Sequence, residues 1–106
     1  MSIGEARRRL RIYRALDNEI RLKAFLAIRR MPGASFNELA RTIGIERGLL
    51  AYHLAVLKAA GIVEARYGRR SKQTSEYTLT SEGEKLAEEL CFKRERRSRR
   101  ERRRNS

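Results

Sequence analysis

Between Ser35 and Gly61 the chain spells out two short helices separated by a glycine turn, and this segment constrains the fold more than any other. Ser35 stands three residues before Glu38, the spacing of a capping box, in which the serine hydroxyl takes the Glu38 amide and the carboxylate reaches back. Phe36, Leu39, Ala40 and Ile43 follow at i, i+3, i+4 and i+7, one apolar stripe on a helix. Gly44 ends that helix, because a residue without a Cβ takes the left-handed conformation at no steric cost. A second helix then runs from about Arg47 to Ala60, buries Leu50, Leu54 and Leu57, and stops at Gly61. Two helices packed across so tight a turn need a small residue in the first, a glycine between and a large apolar residue in the second. Ala40, Gly44 and Leu50 meet that need, so the segment reads as a helix-turn-helix.

The rest of the chain supplies elements to cover it. Residues from about Glu5 to Leu16 set Ala6, Leu10 and Tyr13 on one helical side. Asp17 or Asn18 caps a second helix that stops at Met31-Pro32-Gly33 and is apolar nearly all round, as suits a helix at the centre of a small domain. After Gly61, Val63, Ala65 and Tyr67 alternate with Glu64 and Arg66, the pattern of a half-buried strand with the first set inward. Gly68 to Gln73 is a polar turn, Glu76 to Leu79 the returning strand, and Thr80 with Ser81 caps a last helix bearing Leu86, Ala87, Leu90 and Cys91. The expected fold is mainly α with a small β-hairpin: about five helices plus a two-stranded wing, over residues 1–92. Residues 93–106 form a basic, Arg-rich C-terminal tail with nothing apolar to bury.

Charge narrows the partner. Lys and Arg number 26 against 13 Asp and Glu, a net +13 on a chain of 106 residues, and an excess of that size predicts an anionic partner such as nucleic acid or an anionic membrane surface. Lys93 to Arg104 holds nine of the basic residues and two acidic ones, so the tail carries +7 and the domain before it +6. The longest apolar runs, such as Ala24 to Ile28, are far too short to cross a bilayer. No signal peptide is read at the N-terminus, and one cysteine, Cys91, makes no internal disulfide, so a reducing, cytoplasmic location is expected. No phosphate-binding glycine loop and no paired nucleophile and base appear, so an enzyme is not expected.

Several stretches resemble the ArsR-like winged helix-turn-helix regulators: Ala15-Leu16-Asp17-Asn18-Glu19-Ile20-Arg21-Leu22, Phe36-Asn37-Glu38-Leu39-Ala40, Leu50-Ala51-Tyr52-His53-Leu54-Ala55-Val56-Leu57 running into Ala60-Gly61-Ile62-Val63, and Tyr77-Thr78-Leu79-Thr80-Ser81-Glu82-Gly83. The resemblance spans about Ala15 to Leu90. It implies a homodimer held by the first and last helices, the fourth helix in the major groove of double-stranded DNA and the hairpin as a wing. Metal-sensing members of that family carry paired cysteines where this chain has Asn37 to Ala40, or Asp and His ligands on the last helix, where this chain has no His. With one Cys and one His in all, no soft-ligand metal site forms within one chain, and no cofactor is expected. The effector is left open.

The candidate DNA-binding residues follow from the buried side of the fourth helix. If Leu50, Leu54 and Leu57 face inward, Arg47, Gly48, Ala51, Tyr52 and Ala55 face out, with Leu49 flanking them. Arg47 in the first turn suits a bidentate contact to guanine, Leu49 or Ala51 a thymine methyl, and Tyr52 a phosphate or base edge, while Gly48 lets backbone approach phosphate. Arg69, Arg70 and Lys72 on the hairpin tip suit backbone or minor groove, although a charged tip also serves simply to protect a strand edge. His53 reads as a packed residue, not a pH switch, and Cys91 as a small apolar residue in a helix interface. Three functions compete: a sequence-specific dimeric transcriptional regulator; a nonspecific nucleic-acid-binding protein, chromatin-like or RNA-binding, in which the tail dominates; and a winged-helix module that binds protein, against which the basic wing and the net +13 argue.

Overall fold

The computed structural model describes residues 1–67 and 75–90. Along them run α1 (Ile3–Leu16), α2 (Glu19–Arg30), β1 (Ala34–Ser35), α3 (Phe36–Ile43), α4 (Arg47–Ala59), β2 (Val63–Tyr67) and β3 (Ser75–Leu79). A fifth helix, α5, covers residues 81–90. The expected winged-helix arrangement is present, mostly helical with a small antiparallel sheet.

Helix starts are set by side chains that accept otherwise unpaired amides. Ser2 takes the Glu5 amide at 3.1 Å, Asn18 the Arg21 amide at 3.0 Å and Ser35 the Glu38 amide at 3.1 Å. Asn18, not Asp17, is therefore the cap of α2, and α1 begins two residues earlier than the apolar spacing indicated. Thr80 fixes the start of α5: its hydroxyl accepts the Gly83 amide at 3.1 Å and donates to the Gly61 carbonyl at 2.7 Å.

α2 is the central element and packs against α1, α3, α4 and β3. Its Ala24, Phe25 and Ile28 are wholly buried, with Leu39, Leu50, Leu57 and Ile62 around them. That burial explains the apolar run from Ala24 to Ile28, while Glu19, Lys23 and Arg30 of the same helix stay exposed.

The sheet has three strands, in the order β1-β3-β2, one more than the expected hairpin. Ala34 and Ser35 pair with Tyr77 and Glu76. Gly33, at φ 85°, turns the chain alongside β3, and its amide donates to the Tyr77 carbonyl at 2.9 Å. β2 and β3 pair in register from Val63–Leu79 to Tyr67–Ser75.

Two side-chain expectations change. Tyr67, expected inward with Val63 and Ala65, is 76% exposed, since burial falls away along β2 from Val63 to Tyr67. Leu86 and Ala87 are covered by the domain's own core, so α5 leaves only Leu90 of its apolar residues in solvent. Cys91 and the tail 93–106 lie outside the described residues.

Candidate nucleic-acid interface

The helix-turn-helix is built at Gly44, whose φ of 75° and ψ of 40° close α3, and whose amide donates to the Ala40 carbonyl at 2.8 Å. The chain then turns through Ile45 and Glu46 into α4. Glu46 is the cap residue in extended backbone; its carbonyl accepts the Leu50 amide at 3.0 Å, but its carboxylate makes no cap hydrogen bond. The first-turn amides of α4 thus have no side-chain cap.

Burial divides α4 cleanly. Leu50, His53, Leu54 and Leu57 are buried, and Arg47, Gly48, Leu49, Ala51, Tyr52 and Ala55 are exposed. All five candidate residues of this helix therefore share the outward side, with Leu49 and Tyr52 among the large apolar or aromatic side chains left in solvent. The Arg47 guanidinium lies over the Phe36 ring, 5.5 Å from its centroid. A shallow depression between α3 and the start of α4 is bordered by Asn37, Arg41 and Arg47. Arg69, Arg70 and Lys72 follow the last paired residue of β2 in sequence and lie outside the described residues.

His53 is 4% exposed, and its Nδ1 has no hydrogen-bond partner. Its ring meets Tyr52 edge-on, with centroids 5.3 Å apart. Burial holds the imidazole below its ordinary range, and the charge of Arg21 acts in the same direction.

Charge is spread unevenly along the chain. From Ser35 to Ala60 the basic residues are Arg41, Arg47 and Lys58 and the acidic ones Glu38 and Glu46, so the helix-turn-helix carries only +1. α1 carries Arg7, Arg8, Arg9, Arg11 and Arg14 against Glu5, and most of the remaining excess is in the hairpin tip and the tail. The long-range pull of a polyanion thus falls outside the helix that presents the candidate reading residues. Among the described residues, no group of three or more His, Cys, Asp or Glu is placed to hold a metal ion, and no helix is long and apolar enough to cross a membrane.

Residues 20–94 match the model of the winged helix DNA-binding domain. The chain belongs to that family. Among solved structures this winged-helix chain is similar to HlyU from Vibrio cholerae, with 28% identity, 85% of this chain and 94% of that one covered, and a TM-score of 0.72. The HlyU transcriptional regulator from Vibrio vulnificus gives 26%, 84%, 90% and 0.69. MarR gives 27%, 84%, 67% and 0.67. No curated protein matches the sequence.

Sequence reasoning missed the pairing of Arg47 with Phe36. Phe36 stands in the apolar stripe of α3, where spacing marks it only as core, and nothing local ties it to the start of the next helix.

Proposed function

We propose that this chain is a transcriptional regulator, not an enzyme, that binds double-stranded DNA as a homodimer and reads sequence with α4 in the major groove. The observation that carries this reading is the division of α4: one side is sealed into the core, and the other sets Arg47, Gly48, Leu49, Ala51 and Tyr52 in solvent at the helix N-terminal half. The N-terminal part of the second helix is where a helix-turn-helix meets base edges. Arg69, Arg70 and Lys72 then lie on backbone or minor groove as the wing, and the +7 of residues 93–106 adds attraction that is blind to sequence. In this reading residues 1–92 form the domain and the tail is a separate arm.

A second copy of the chain is the expected partner of α1 and α5. Ile3, Leu10, Tyr13 and Leu90 are 77%, 53%, 47% and 41% exposed, more apolar surface than a small monomer leaves uncovered without use. α1 is strongly basic, whereas α5 carries Glu82, Glu84, Glu88 and Glu89 against Lys85. Part of that complementarity is used within the chain, where Arg8 pairs with Glu82 at 2.8 Å, and in this reading the remaining charges face a second copy. The stretches from Ala15 to Gly83 support an ArsR-like member of the winged-helix regulators in this reading, with the effector left open.

The nonspecific-binder reading is favoured by one observation: Gly48, Leu49 and Ala51 give α4 few polar groups for base edges. Footprinting on genomic fragments decides between the two. Discrete protected sites support the regulator; uniform protection at every concentration supports the nonspecific binder.

A further inference from the structure

The contact between Arg47 and Phe36 joins the starts of two helices. Phe36 is the first residue of α3, held by the Ser35 cap, and it packs on the core through its partly buried side. Arg47 is the first residue of α4, and its guanidinium carbon sits 5.5 Å from the centre of the Phe36 ring. Among the described residues no carboxylate pairs with Arg47. The neighbouring Glu46 carboxylate is directed towards Gly48, where it lies 3.5 Å from the position a Cβ would take.

An arginine on an aromatic face is held without using its donors. The guanidinium is planar, so a ring under one face restrains it while the N–H groups around its rim stay free for a planar acceptor. A free arginine on a helix surface samples many rotamers and loses them on binding, and restraint before binding reduces that loss.

We propose that Phe36 is a positioning residue for DNA reading: its ring holds the Arg47 guanidinium in place for a base contact that Phe36 itself does not make. This rests on the reading that Arg47 contacts a base. It assigns to α3 a part in specificity distinct from covering the core.

The test measures affinity for a footprinted site and for random duplex at one salt concentration, using Phe36→Leu, Phe36→Tyr, Arg47→Ala and the Phe36→Leu/Arg47→Ala pair. Phe36→Leu should weaken the footprinted site about three- to fivefold and leave random duplex within about twofold. Phe36→Tyr keeps the aromatic face and should bind as the parent does. In the Arg47→Ala background Phe36→Leu should cost nothing further. Equal losses on both DNAs, or the same loss with and without Arg47, overturn the proposal. A second measurement needs no variant to fold and no DNA: in the free protein the Arg47 Nε–H resonance should be shifted upfield by the ring relative to Arg41, and an unshifted signal overturns the proposal as well. If the shift is present but Arg47→Ala weakens both DNAs equally, the base-reading role of Arg47 fails, and the positioning role falls with it.

Discussion

Gly83, in the first turn of α5, presses against the backbone carbonyl of Ile62, so closely that a Cβ there would collide with the oxygen. The same carbonyl accepts the Thr80 amide at 3.1 Å, and the Thr80 hydroxyl donates to the adjacent Gly61 carbonyl. α5 is thus fastened to the corner between α4 and β2. Gly83→Ala should therefore destabilise the fold by about 1–3 kcal/mol, the range for overpacking a close contact. Gly4→Ala, in the first turn of α1, where an added Cβ would make only an ordinary contact with the Ser2 hydroxyl at 3.8 Å, should instead gain about 0.5–1 kcal/mol. Denaturant unfolding of the two variants checks the opposite signs.

Gly48 sets stability against function in one substitution. It is helical and exposed, and an added methyl group would meet nothing closer than the Glu46 carboxylate at 3.5 Å. Gly48→Ala should stabilise the free protein by about 0.5–1 kcal/mol. It should also weaken DNA binding, because in the proposed complex the methyl group intrudes where the Gly48 backbone approaches phosphate. Unfolding and binding measured on the same preparation decide it; a gain in both would remove Gly48 from the interface.

Much of this architecture is legible in the sequence because it is local. The Ser35 cap, the Gly44 turn and the Leu50, Leu54 and Leu57 side of α4 each depend on residues within a few positions of one another. β1 is not legible: two residues cannot alternate, and Ala34 and Ser35 become a strand only because Tyr77 and Glu76 lie beside them. Tyr67 shows a different limit, since alternation fixes which face a residue takes but not where the body beneath that face ends. The outward residues of α4 followed from its inward leucines, whereas the Phe36–Arg47 contact depends on how α3 and α4 cross.

Acid should destabilise the protein through His53. Its folded-state pKa lies below the ordinary value of 6.5, so below that pH the unfolded chain binds a proton that the folded chain resists. Stability should be level from about pH 7 to 8 and fall as pH drops through about 6.5. His53 is the single histidine, and Arg21 is the charged group that opposes its protonation, so the slope belongs to one residue. Unfolding free energy measured from pH 8 to 5 checks this, with a flat profile as the contrary result.

The dimer is tested at the uncovered face of α1. Light scattering at micromolar concentration should give about twice the chain mass of 12.4 kDa. Leu10→Asp places a charge on a residue 53% exposed in the single chain, so it should leave the fold intact and halve the measured mass. A parent protein that stays monomeric over that range contradicts the homodimer.

In the proposed complex α4 reads sequence while the wing supplies attraction, and one comparison of affinities tests this division most directly. Binding of Arg47→Ala and of Arg69→Ala/Arg70→Ala is measured on a footprinted site and on random duplex at a single salt concentration, because the electrostatic contribution changes steeply with salt. Arg47→Ala should cost about 1–3 kcal/mol on the footprinted site and much less on random duplex. The double substitution in the hairpin should weaken both DNAs by similar factors and flatten the salt dependence. If Arg47→Ala weakens both DNAs equally, α4 does not read sequence through its first turn, and the protein is a nonspecific nucleic-acid binder.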